Sequence, residues 1–154
     1  MRRKDREQGR EFALNVLRGC EYATLATVNL DGSPYSVPIS PVLVGETVYF
    51  HCALEGQKID NIANMDKVCL SCVGYTKLVP EKFTTEYESA VATGRCTVVT
   101  DREEKIMALR SICEKYAASN MDAFEGAITK SLARTGICKV EIEQITGKGK
   151  RISD

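Results

Sequence analysis

Three of the chain's four prolines, Pro34, Pro38 and Pro41, fall in one short segment. The residues around them, Tyr35 to Val44, otherwise read as a β-strand. Proline donates no ladder hydrogen bond, so this strand cannot sit in the middle of a sheet with both edges fully paired. Any fold for this chain must therefore give it an edge or a bulge. That edge is open to two readings. It is a plain sheet margin, or it is a margin kept free for a planar ligand whose polar rim meets the spare backbone groups.

The flanking pattern supplies the rest of a meander. Tyr22 to Asn29 reads as a strand, and Asp31-Gly32 is a hairpin signal because both residues tolerate positive φ. Gly45-Glu46 turns the chain again, and Val48 to Cys52 is a third strand. Lys67 to Tyr75 and Tyr87 to Val99 are further strands, with Pro80 to Thr85 as loop. Gly94 lies inside the second of these and predicts a bulge or bend. Ile137 to Ile145 alternates Cys138, Val140 and Ile142 with Lys139, Glu141 and Glu143, as a half-buried strand does. Helices are predicted over Arg6 to Gly19, Gln57 to Met65, Asp101 to Tyr116 and Asp122 to Leu132. The third has Thr100 or Asp101 as its cap and a stripe of Ile106, Leu109, Ile112, Cys113 and Tyr116. The expectation is a mainly β chain with helical additions, built as a six-stranded antiparallel barrel, closed or partly closed.

At 154 residues the chain fits a single domain over 1–154. Lys plus Arg and Asp plus Glu are 21 each, which points away from nucleic acid and membrane surfaces as partners. The lack of net charge hints at an oligomer. The basic start, Met1 to Arg6, is followed by no apolar stretch, so a secretory signal is not expected, and the expected compartment is the cytoplasm. Seven scattered cysteines are not a disulfide framework. Cys69 and Cys72 form a C-x-x-C on a strand, where residues three apart face opposite ways, so no metal site is expected.

Several residues carry possible chemistry. His51 is the only histidine. It ends the third strand just before a glycine loop, a place where binding residues gather, although a lone histidine is also commonly structural or exposed. Glu55-Gly56-Gln57-Lys58 opens the short second helix. A helix start attracts anions, and a lysine there is unfavourable unless an anion sits beside it. Gly56 allows close approach to the backbone, though a solvated lysine is the plainer reading. Tyr87 and Ser89 share a strand face, as ligand contacts or as an exposed hydroxyl pair. The tail Thr146 to Arg151 is glycine-rich and basic, a frayed terminus or a flexible ligand contact. No Walker loop, H-E-x-x-H or G-x-S-x-G is present. A Cys52–His51 catalytic pair is not expected, since strand neighbours face opposite sides.

Taken in order, these segments resemble the pyridoxamine 5′-phosphate oxidase-like FMN-binding split barrels. The resemblance rests on Ala23-Thr24-Leu25-Ala26-Thr27, Asp31-Gly32, Pro34-Tyr35-Ser36-Val37-Pro38, Tyr87-Glu88-Ser89-Ala90-Val91 with Gly94, and Ile145-Thr146-Gly147-Lys148. Tyr49-Phe50-His51-Cys52-Ala53 with Gly56-x-Lys58 is similar to the nitroimidazole-resistance branch.

The resemblance implies a split-barrel homodimer with FMN at the subunit interface. It places Val37, Pro38 and Ile39 along the isoalloxazine ring. Lys58 meets the phosphate, with Ile59 beside it, and His51 and Ala53 lie near the flavin. Tyr87 and Ser89 approach across the dimer, and Lys148 closes the site. His51 is the candidate catalytic residue, a proton donor or substrate contact. The implied activity is an oxidoreductase that passes electrons from a nicotinamide donor through FMN to a small acceptor such as a nitroaromatic. Related proteins bind a deazaflavin or haem, so a non-enzymatic flavin- or haem-binding module is the alternative. The substrate-phosphate residues of a true pyridoxamine phosphate oxidase are not seen.

Overall fold

The computed structural model describes residues 2–152. One antiparallel sheet contains β1 (Glu7–Gln8), β2 (Ala23–Val28), β3 (Pro34–Ile39), β4 (Val42–Val44), β5 (Thr47–Cys52), β6 (Lys67–Val79), β7 (Thr84–Val98) and β8 (Gly136–Lys150). The helices are α1 (Arg10–Gly19), α2 (Gln57–Asn64), α3 (Arg102–Tyr116) and α4 (Phe124–Ser131). The sheet order is β3-β2-β6-β7-β8-β5-β4, with β1 added to β8.

The barrel is split where the prolines fall. β3 pairs only with β2, and β4 pairs only with β5, at opposite ends of the sheet. Yet only Ser40 and Pro41 separate β3 from β4 in sequence. The sheet must therefore curl until its two margins meet at that crossover. The predicted second strand is thus two strands, and with β1 the expected six become eight. Pro41 interrupts the run because a proline cannot carry the ladder through the corner.

The barrel interior is filled by Leu25, Phe50, Leu70, Val48, Val140 and their neighbours, closed at one end by Ala13, Leu14, Val16 and Leu17 of α1. A second apolar cluster lies outside, where Ala108, Leu109 and Ile112 of α3 and Phe124 of α4 pack on Val42, Tyr49 and Ile137. Asp101 caps α3 as expected, its carboxylate accepting from the Glu104 amide at 2.7 Å. Glu104 then ties α3 to the barrel, since its Oε1 accepts from Tyr49 Oη and from Lys139 Nζ, each at 2.9 Å.

Several boundaries differ from expectation. α1 begins at Arg10, because Lys4–Arg6 make a 3-10 turn and Glu7–Gln8 pair with Lys148 and Gly147. The tail is neither frayed nor flexible. β8 runs on to Lys150, and a Cβ at Gly147 would lie 2.9 Å from Phe12 and 3.1 Å from Ala13. These glycines let α1 lie directly on the sheet. β6 runs on to Val79 and β7 starts at Thr84, so the predicted loop narrows to the turn Pro80 to Phe83 of a long hairpin.

Gly94 does mark a bulge, with a register shift between Thr93 and Gly94 against β8. A Cβ there would sit 2.0 Å from the Glu141 carbonyl oxygen, a backbone atom that cannot step aside. Gly94→Ala is expected to cost roughly 3 kcal/mol in urea unfolding. Lys139 and then Tyr49 hold the Glu104 carboxyl below the usual carboxylate range. The stability this gives is present above the ordinary carboxylate pKa and is lost as pH falls through the depressed one. Glu104→Gln should therefore flatten the acid limb of a stability-versus-pH curve.

Candidate functional site

A cleft of about 440 Å³ opens where the barrel is split. It is lined by Tyr22, Pro38, Ile39, Ser40, His51, Cys52, Ala53 and Lys58. Five residues expected to act together, Pro38, Ile39, His51, Ala53 and Lys58, thus converge from β3, the end of β5 and the start of α2.

Each wall has a local cause. β3 has a ladder partner on one side only, so its other edge faces the cleft. The crossover that shapes the cleft is clamped by α3: the Pro41 carbonyl accepts from Lys115 Nζ and from Tyr116 Oη, each at 2.8 Å. Burial pushes the Lys115 ammonium down and the Tyr116 phenol up, to about 12. Sequence reasoning put Tyr116 on a buried stripe; the hydroxyl that reaches the crossover was not foreseen.

α2 is held by a buried amide network. The fully buried Asn61 donates to Thr27 Oγ1 at 3.0 Å and to Asn29 Oδ1 at 2.8 Å, and Gln57 donates to Asn61 at 3.1 Å. These bonds fix the helix against the β2–β3 hairpin and so aim its first turn. That turn has no side-chain cap, and Gly56 precedes it at φ 134, a conformation that favours glycine. The free first-turn N–H groups with Lys58 beside them have the donor chemistry of a phosphate cradle. Asn61 gave no sequence signal, since a polar residue in a short helix ordinarily faces water.

His51 is exposed at the cleft and Cys52 is buried. They face opposite ways, so they form no catalytic pair. Cys52 Sγ instead lies 3.8 Å from Cys138 Sγ, and that contact, then burial, pushes its thiol far up, leaving it protonated. Cys69 and Cys72 likewise take opposite faces, Cys72 inward opposite Ala90 and Cys69 outward opposite Thr93. Among the described residues, no group of three metal-ligating side chains forms, and no helix is long and apolar enough to cross a membrane.

The other candidates stand elsewhere. The Val37 side chain turns inward onto the core beside Leu25, and Ile59 also packs on the core. Tyr87, Ser89 and Lys148 form a second group on β7 and β8. Ser89 pairs with Lys148, whose Nζ lies 5.7 Å from the centre of the Tyr87 ring. Arg6 donates to Tyr87 Oη at 3.5 Å. Burial alone would raise the Tyr87 phenol, but Arg6 and Lys148 outweigh it and hold it below the ordinary value.

Between the two groups runs an outward face of the sheet. Its register rows are Pro38–Thr24–Ser71–Val91–Thr146, Ser36–Ala26–Cys69–Thr93–Gln144 and Val73–Ser89–Lys148. The charges in those rows are Lys148 and Glu7, which pairs with it from β1, in a chain that is 27% charged.

The sequence profile of the pyridoxamine 5′-phosphate oxidase family matches residues 10–149. The chain belongs to this family. Solved structures agree on the fold. A candidate 5-nitroimidazole antibiotic resistance protein from Bacteroides thetaiotaomicron is similar at 25% identity and TM-score 0.75, over 93% of this chain and 90% of that one. The flavocytochrome Anf3 of Azotobacter vinelandii gives TM-score 0.84 at 17% identity, over 100% and 75% of the two chains. A FAD-binding protein from Mesorhizobium loti gives 0.72 at 21%, over 95% and 98%. The comparison with curated proteins gave no match.

Asn61 is the test of how the site is held. Asn61→Ala removes the donor to Thr27 and Asn29 inside a closed space and should cost about 2 kcal/mol in chemical denaturation.

Proposed function

We propose that this family member binds FMN in a composite site of a homodimer and acts as an oxidoreductase. It would pass electrons from a nicotinamide donor to a small acceptor, such as a nitroaromatic. The observation that carries the reading is the convergence of Pro38, Ile39, His51, Ala53 and Lys58 on one cleft at the barrel split. The uncapped start of α2 and Lys58 suit a phosphate, and the open β3 edge suits the polar rim of a planar ring. Likeness to proteins described as FAD-binding and as a nitroimidazole-resistance candidate supports the same reading.

FMN, when bound, supplies the two-electron redox chemistry. The chain's own residues do the rest. Lys58 and the first-turn amides of α2 hold the phosphate as a charge-assisted pair. Pro38, on the exposed face of β3, lines the ring's seat, with Ile39 behind it in the core, and Ala53, with its small side chain, leaves it room. His51, at the cleft, is the residue placed to hold and deliver a proton. The sparsely charged outward face meets the same face of a second copy, as a two-fold interface requires. It brings the partner's Tyr87, Ser89 and Lys148 to the ring, where their donors and positive charge suit an electron-rich reduced flavin.

The test is the absorption spectrum of the purified protein, with the cofactor released on denaturation identified. Paired flavin bands and released FMN are expected, with NAD(P)H oxidation stimulated by an acceptor. Lys58→Ala should weaken FMN binding by tenfold or more. His51→Ala should keep FMN and lose turnover; unchanged turnover removes its proton role. A Soret band identifies a haem module instead. A colourless protein that takes up no added FMN overturns the proposal, and a monomer with FMN bound overturns the interface site.

A further inference from the structure

The tip of the β6–β7 hairpin is built against the ordinary rules of a monomer surface. Its turn, Pro80–Lys82, hands over to Phe83 at φ 46, ψ 46. A bulky side chain in the left-handed region is a true outlier, and such residues persist where function requires them. Phe83 is also 99% exposed, and Leu78 beside it is 76% exposed. Glycine or asparagine would make the same turn without strain and without an apolar ring in water.

The register shows which way this tip looks. Leu78 pairs with Thr85, and Thr85, Tyr87 and Ser89 alternate onto one outward face of β7. Leu78 therefore extends the very face that carries the hydroxyls assigned to the partner's flavin. Phe83 lies four residues beyond Tyr87 along the strand, roughly 13 Å at the usual rise. If Tyr87 reaches the partner's ring, the tip must lie over the partner's cleft or its rim. That cleft has a matching exposed apolar border. Tyr22 is 62% exposed at its wall, and Leu54, one residue past Ala53, is 55% exposed. The sparsely charged face between the two groups gives the contact a continuous path.

From this we propose that the β6–β7 tip of one copy closes over the flavin cleft of its partner, with Phe83 and Leu78 as an apolar lid against Tyr22 and Leu54. The occupant of the exposed tip is a second copy of this chain. The lid makes Phe83 a determinant of which acceptors reach the ring, favouring flat aromatic ones. The inference rests on the composite flavin site proposed above.

The chain has no tryptophan, so Phe83→Trp introduces a single reporter. In the FMN-loaded dimer its emission should be quenched and shielded from acrylamide, and dilution to monomer should restore solvent-exposed emission. Phe83→Gly relaxes the turn, so its thermal midpoint should equal or exceed the parent's. Its FMN should nevertheless dissociate at least tenfold faster. A dimer that holds FMN while the introduced indole stays freely accessible, and with FMN release unchanged in Phe83→Gly, overturns the lid and leaves the flavin site standing. A chain that takes up no FMN, or stays monomeric with it, overturns both.

Discussion

The crossover at Ser40–Pro41 is the constraint on which the rest of the molecule depends. It joins the two margins of one sheet by two residues, so the sheet has to curl, and the proline there denies the ladder that would seal it. The result is a barrel with a permanent seam. A seam of unpaired backbone would ordinarily be a liability. Here α3 anchors the crossover, because Lys115 and Tyr116 both donate to the Pro41 carbonyl. The helical insertion before β8 thus acts on the cleft from outside the barrel. Its own anchor is Glu104, bonded to Tyr49 and Lys139 on the strands beside the seam.

The candidate site divides into two halves for a related reason. The seam offers an edge, a histidine and a helix start, and it lies where the β3 margin and the β5-β4 margin of the sheet meet. The basic and hydroxyl groups of Tyr87, Ser89 and Lys148 lie on the central strands β7 and β8. In the dimer proposed above, a two-fold pairing of the outward face would bring the two regions to one ligand, and the scarcity of charge along its rows suits such a pairing. Charged side chains there would have to be desolvated without partners.

Much of this was legible in the sequence because it is carried by local rules. The prolines marked the edge strand, Asp31-Gly32 the hairpin, Gly94 the bulge and Asp101 the cap. His51 at a strand end, Lys58 at a helix start and Pro38 in the edge strand line one cleft. What was missed depends on contacts between distant elements. The glycines of the tail looked flexible, but Gly147 and Gly149 are small because α1 crosses β8 there. Asn61 carries no signal in the sequence, yet it is the buried link to Thr27 and Asn29. Val37 sits in the motif that resembles the flavin-binding segment, yet alternation turns its side chain into the core. Motif membership does not say which face a residue takes; the register does.

The two helix starts show how local stability and the site trade against each other. α3 begins with a carboxylate accepting from a backbone amide and acidic residues in its first turn, which suits the helix dipole. α2 begins with a left-handed glycine, no side-chain cap and a lysine, which opposes it. A better start is chemically simple, since an aspartate or serine at residue 56 in the usual extended conformation would cap the helix. Such a cap would fill the donors that an anion needs and put a side chain where the ligand must approach the backbone. The same logic covers the unpaired edge of β3 and the strained Phe83. Local rules are kept where an element only has to fold, and they are broken at the seam and at the hairpin tip, the places assigned here to the ligand.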